Sequence, residues 1–162
     1  MATSAGCTRC SSSGNNRLKE LILMLFWLHP EKQYQWTCES PLPQKNNLFG
    51  IAAVSDTNVW AVGGSFMGGA DGVIVHFDGN TWSQKASELP HALFAIAAAG
   101  ADNVWVVGAN GTILHYNGSA WHAQASGTTQ WLYGVSALDA NHVWAVGFGG
   151  TILFYNGSSW TP

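Results

Sequence analysis

The sequence predicts an all-β fold made of four-stranded blades of the β-propeller type. About three repeats follow one another, and an isolated outer strand precedes them. Three observations carry this. A segment recurs three times: NVWAVGG…GVIVHFDGNTW from Asn58 to Trp82, NVWVVGANGTILHYNGSAW from Asn103 to Trp121, and HVWAVGFGGTILFYNGSSW from His142 to Trp160. The closing tryptophans Trp82, Trp121 and Trp160 stand 39 residues apart, and so do Trp105 and Trp144. A period near 40 residues is the length of one four-stranded blade. Within each copy, short runs of β-branched and aromatic residues are separated by Asn, Asp and Gly, the composition of strands joined by tight turns.

Residues 1–34 stand outside the repeats. Met1–Asn16 is rich in Ser, Gly and Asn with no apolar period, and reads as disordered. Leu21–Leu28 is an apolar run behind Arg17 and Lys19. Eight residues are too few to span a bilayer, which takes about 20. The run reads as an export signal or as a short helix stopped by Pro30. Together with a repeat region poor in charge, it points to an extracellular or cell-envelope location. Cys7 and Cys10 form a CxxC with no second pair after it, so no metal site is assigned.

Residues 35–162 are the blade region. Gln35–Ser40 matches the opening of a last strand, and three blades follow over 48–87, 93–126 and 131–162. The first strand of each is Leu48–Ser55, Leu93–Ala99 or Leu132–Leu138. Its small residues, among them Gly50, Ala52, Ala95, Ala97 and Gly134, suit an innermost position where backbones converge. The second strand is VWAVGG, VWVVGA or VWAVGF, and the third is GVIVHF, TILHY or TILFY. Both are apolar on successive residues, as in a sheet buried on both faces. The fourth strand opens at the closing Trp. Asp78-Gly, Asn117-Gly and Asn156-Gly supply tight turns before it. Six tryptophans, Trp60, Trp82, Trp105, Trp121, Trp144 and Trp160, are expected in the core, wedged between blades. Burying one removes roughly 150–250 Å² from water, about 4–6 kcal/mol before entropy is counted.

The pattern VWAVG-x-x-G-T-I-L-H-Y-N-G-S-x-W resembles the tandem blades of bacterial β-propellers of the BNR/Asp-box-like and Kelch-like kind. The resemblance covers about Trp36 to Trp160. Asp78-Gly-Asn-Thr-Trp82 is similar to an Asp-box, S-x-D-x-G-x-T-W, with one residue fewer between Asp and Gly. Asn117 and Asn156 replace the Asp in the other copies. In sialidase-like families that box is a structural turn away from the active site, so the resemblance implies a blade and no catalytic residue. A chain that opens on a last strand and ends where one begins implies a ring closed by its own termini. Three blades are too few for a comfortable ring. Two chains closing as a six-bladed dimer is one expectation, and a piece of a longer array is the other.

Chemistry is sparse. Net charge is −3 and only Lys85 among the basic residues follows residue 48, which excludes a nucleic-acid surface. His76 and His115 share one strand position with Phe154, so packing explains them. Asp56, Asp102 and Asp139 recur at turns, where a carboxylate caps its own backbone. No catalytic residue, cofactor or metal ligand is assigned. Function is sought where the copies differ. The six-residue insertion in the first blade carries Phe66, Met67 and Asp71, and Trp131 is an extra aromatic just before a first strand. These four are the candidate ligand-binding residues. The expected function is a non-catalytic binding or scaffold module that recognises a glycan or protein through blade loops. The alternatives are a fragment of a secreted glycosidase-like propeller protein and a truncated frame without independent function.

Overall fold

A computed structural model of the chain describes residues 46–65 and 71–162. The expected last strand at 35–40, the 34/35 boundary, Phe66 and Met67 lie outside the described residues. The described strands all belong to one unit, Leu42–Pro162.

Among the described residues, twelve strands form three separate four-stranded antiparallel sheets, each in simple meander order. The first blade is β1 (Asn47–Ser55), β2 (Asn58–Gly64), β3 (Gly72–Phe77) and β4 (Trp82–Leu89). The second is β5 (Leu93–Gly100), β6 (Asn103–Gly108), β7 (Ile113–Tyr116) and β8 (Trp121–Ala123). The third is β9 (Leu132–Ala137), β10 (Val143–Gly147), β11 (Ile152–Tyr155) and β12 (Trp160–Thr161). The expected outer strand of the second blade is shorter than its sequence suggested and ends at Ala123.

The first strands of neighbouring blades approach closely, which is why they are built of small residues. A methyl group on Gly50 would lie 3.1 Å from Ala95 Cα and 3.2 Å from Ile96 N. The glycine ending the Val-Trp-x-Val-Gly run has a related cause. A Cβ on Gly63, Gly108 or Gly147 would overlap the carbonyl oxygen of Asn47, Ala92 or Trp131, the residue just ahead of or opening the first strand. Read in sequence only as part of the second strand, that glycine marks a close backbone approach.

The turns between third and fourth strands follow the expected chemistry. Oδ1 of Asp78 accepts from the N–H groups of Asn80 and Thr81 (3.0 and 2.8 Å). Asn117 Oδ1 does the same for Ser119 and Ala120, and Asn156 Oδ1 for Ser158 and Ser159. These two backbone bonds hold the Asp78 carboxyl below the usual carboxylate range, the Thr81 bond contributing most.

Each blade has two unlike faces. In the second, Val104 pairs with Tyr116 and Tyr116 with Trp121, which places all three on one face. Trp105 pairs with His115 and Val107 with Ile113 on the other. The core lies between blades, where the Trp face of one meets the Tyr–Trp face of the next. Trp60 meets Tyr116 at 5.1 Å and Trp121 edge-on at 5.5 Å between ring centroids. Trp105 repeats this against Tyr155 (4.8 Å) and Trp160 (5.6 Å, edge-on). Trp60, Trp105 and Trp160 are buried as expected, while Trp82 and Trp121 are half-buried. Trp144 departs from the expectation and is 39% exposed. It occupies the same place in its blade as Trp60 and Trp105. Among the described residues, however, no further Tyr–Trp face packs on it.

Candidate functional site

Every first strand carries near its start a Leu, an aromatic and a small residue: Leu48-Phe49-Gly50, Leu93-Phe94-Ala95 and Leu132-Tyr133-Gly134. Leu93 and Leu132 are fully buried. The aromatic beside each is carried to the end of the sheets where a blade's last strand hands over to the next blade's first. Because the first strands converge, these rings come into contact and form a ladder. Phe49 and Phe94 have centroids 6.0 Å apart, and Phe94 and Tyr133 5.6 Å apart. Trp131 joins the ladder at 5.5 Å from Phe94 and 6.4 Å from Tyr133.

The ladder changes character along its length. Phe94 is buried among Ala92, Ala109 and Phe49. Trp131 and Tyr133 are 40% and 48% exposed, so the third-blade end offers ring surface to a ligand. Burying such rings costs little side-chain entropy, which is why aromatics anchor recognition surfaces. The turns between second and third strands flank the ladder and are pinned to it. Ala109 N–H donates to Ala92 O (2.9 Å), Phe148 N–H to Trp131 O (2.8 Å), and Gly111 N–H to Gln130 O (2.9 Å). Phe148, exposed at the tip of the third-blade turn, adds a further apolar ring at this end. The platform therefore stands on fixed backbone.

Of the sequence-predicted site residues, Trp131 belongs to this ladder. Asp71 sits half-buried where the insertion returns to β3, and its carbonyl accepts from Asn46 Nδ2 at 2.7 Å. That bond ties the base of the insertion to the residue preceding β1, at the ladder's first-blade end. Sequence reasoning missed Phe49, Phe94 and Tyr133, because each reads as an ordinary apolar strand residue. Their shared place after Leu in all three copies was the available signal.

Other concave regions have less to offer. A cleft of about 540 Å³ between the first two blades is lined by Trp60, His76, Lys85, Tyr116 and Trp121. The indole N–H groups of Trp60 and Trp121 and Nδ1 of His76 are shielded from solvent. The polar groups that the wall offers to solvent are therefore those of Lys85 and Ser119. The histidines are occupied by packing. His76 Nε2 donates to Asn58 Oδ1 (2.9 Å), and His115 Nε2 to Asn103 Oδ1 (2.9 Å). The His115 ring stacks on Trp105 at 4.0 Å, and the His76 ring packs tilted on Trp60 at 4.1 Å. Burial, chiefly, holds both imidazoles below their ordinary value. Asp139 Oδ1 accepts from the backbone of Asn141 and His142 (2.8 and 2.9 Å), and His142 Nδ1 lies 2.9 Å away. Its carboxyl is held low, first by the Asn141 bond and then by His142. Among the described residues no three His, Cys, Asp or Glu gather as a metal site, and no helix is long and apolar enough to cross a membrane.

No protein-family model matches the chain, and no curated protein is significantly similar to it. Among solved structures it is similar to YCF48 bound to D1 peptide, with 17% identity and a TM-score of 0.60 over 74% of this chain and 41% of that one. It is similar also to YCF48 from Cyanidioschyzon merolae, with 23% identity and a TM-score of 0.59 over 75% of this chain and 41% of that one. The chain thus spans about 41% of the length of either structure. Both are propeller proteins, and at these identities the likeness is one of fold: the three sheets are blades of a β-propeller.

Proposed function

We propose that this chain is a non-catalytic binding module that holds an extended polypeptide across the Phe49–Phe94–Tyr133–Trp131 ladder. The carrying observation is that the ladder ends in exposed rings, Trp131 and Tyr133, on backbone pinned by the neighbouring turns. An apolar side chain of the ligand would pack between these rings, and Asp71, tied to Asn46 ahead of β1, would border the other end. The structural neighbour solved with a bound peptide supports a polypeptide over a glycan as the ligand. The carboxylates of Asp78 and Asp139 are engaged with backbone N–H groups of their own turns, which supports a role without catalysis. We read the Asp78-Gly, Asn117-Gly and Asn156-Gly turns as shortened Asp-boxes with a structural role.

The test is selection from a displayed peptide library against the full chain, with a glycan array in parallel. Enriched peptides should bind the unaltered chain and lose tenfold or more in affinity with Trp131→Ala or Tyr133→Ala. That is about 1.4 kcal/mol or more, as expected of aromatic anchors. Ser158→Ala, on a turn between third and fourth strands, should leave binding unchanged. Glycan binding without peptide binding, or peptide binding indifferent to both ring variants, would overturn the reading.

A further inference from the structure

The three blades carry three Trp-bearing faces, and two of them are buried in the joints between blades. The third is Trp144, Val146, Ile152 and Phe154. Trp144 pairs with Phe154 and Val146 with Ile152, so these four share one face of the sheet. Ser136 and Gly134 lie opposite Trp144 and Val146 and complete it. The residues match those of the joints already formed, where Trp105, Val107 and Ile113 are fully buried. Here Trp144, Val146 and Ile152 are 39%, 46% and 62% exposed. None of these side chains is charged. Soluble proteins rarely leave a contiguous apolar surface of this kind bare unless it is an interface.

We propose that this face is the self-association surface of the chain, and that its occupant is the same face of a second copy related by a two-fold axis. The surface continues the series of established joints, so sheet-on-sheet packing is its natural mode. It is also suited to meeting itself. Its large residues lie on β10 and β11 and its small ones on β9. A two-fold axis through the face sets the ridge of one copy over the shallow strip of the other, the isologous arrangement commonest among homodimers. A six-bladed ring would have to engage the opposite end as well, the first-blade face with Phe77 and Trp82. There Ala61, Val73 and Val75 are already buried at 3%, 1% and 0% exposure. Two-fold pairing asks only for the exposed face.

Light scattering after size exclusion, with the full chain across the micromolar range, tests this. The chain should run at twice its mass. Ile152→Asp and Trp144→Ser should run at the single-chain mass, with circular dichroism unchanged, because both positions are exposed in one copy. Phe77→Asp should remain a dimer. Hydrogen exchange supplies a reading independent of that variant: dimerisation should slow the amides of β10 and β11 and leave β3 and β4 unchanged. A single-chain mass throughout would overturn the proposal, and so would a mass that grows with concentration. A dimer lost with Phe77→Asp but restored by mixing that variant with Trp144→Ser, or slowed exchange in β3 and β4, would replace it with head-to-tail closure.

Discussion

Gly108 shows how one residue sets the spacing of a blade. A Cβ there would overlap Ala92 O and come within 3.0 Å of Leu93 Cα, both backbone atoms of the strand start beside it. Neither can retreat, because Leu93 is fully buried and Ala92 O already accepts from Ala109 N–H. Gly108→Ala should therefore destabilise the chain by about 2–3 kcal/mol, the cost of forcing an extra methyl into a packed interior. In Gly100→Ala the new Cβ meets only Asp102 Oδ1, at 3.5 Å, and the change should stay within about 0.5 kcal/mol. Urea unfolding of the two variants reads the difference, and equal effects would show that the close approach is not what fixes the glycine. At this scale the sequence was legible wherever the cause was local. Asp78, Asn117 and Asn156 were read as turn residues because the partners of such a side chain lie two and three positions on. The need for glycine at 108 was not legible, because its constraint comes from the start of another strand. Phe49, Phe94 and Tyr133 went unnoticed for the same reason, since only the convergence of three strands brings them together.

The strand pair β6–β7 holds the most complete version of the joint. Asn103 Oδ1 accepts from Trp105 Nε1 (2.8 Å) and His115 Nε2 (2.9 Å), locking the two stacked rings against the third blade. The first blade repeats the His–Asn bond with Asn58 and His76. A cation stacked on indole would be favoured by the ring quadrupole. Yet burial dominates and lowers both imidazoles, with Lys85 adding to the effect on His76, Asp78 opposing it, and His122 adding to the effect on His115. The folded chain thus resists protons that the unfolded chain accepts. Above the ordinary imidazole value both states are neutral and stability is unaffected. As pH falls below it, the unfolded state gains protons first and stability drops. Thermal melts from pH 7.5 to pH 5 should show the midpoint falling by a few degrees (pH values set by the ordinary imidazole pKa of about 6.5). His115→Phe, the residue type the third blade uses at Phe154, should shrink that slope. A slope that survives in a His76→Phe, His115→Phe double variant would place the titration elsewhere. Elements were legible in kind but not in environment. The run Val-Trp-Val-Val-Gly is buried throughout in β6, whereas Val-Trp-Ala-Val-Gly in β10 alternates between buried and exposed. The difference lies in the neighbour, which no strand's own sequence records.

Across the whole repeat region, stability is the sum of what each blade contributes and what each joint contributes. The second blade takes part in two joints, through Val104 and Val106 on one side and Trp105 and Val107 on the other. Among the described residues the third takes part in one, and its Trp144 side is open. Opening the third blade breaks one joint, while opening the second breaks both. Native-state hydrogen exchange at low chain concentration should therefore rank the strands. Amides of β6 and β7 should exchange slowest, near the rate set by global unfolding. Those of β10 and β11 should exchange faster through local opening, which needs less free energy than the global event. The two sets contain nearly the same residues, so intrinsic sequence effects on exchange largely cancel and the comparison isolates the missing joint. Raising the chain concentration should then slow β10 and β11 toward β6 and β7 if a second copy covers Trp144. Equal protection of the two sets in the dilute chain would mean that the blades open only as one cooperative unit, and that the bare face costs the third blade nothing.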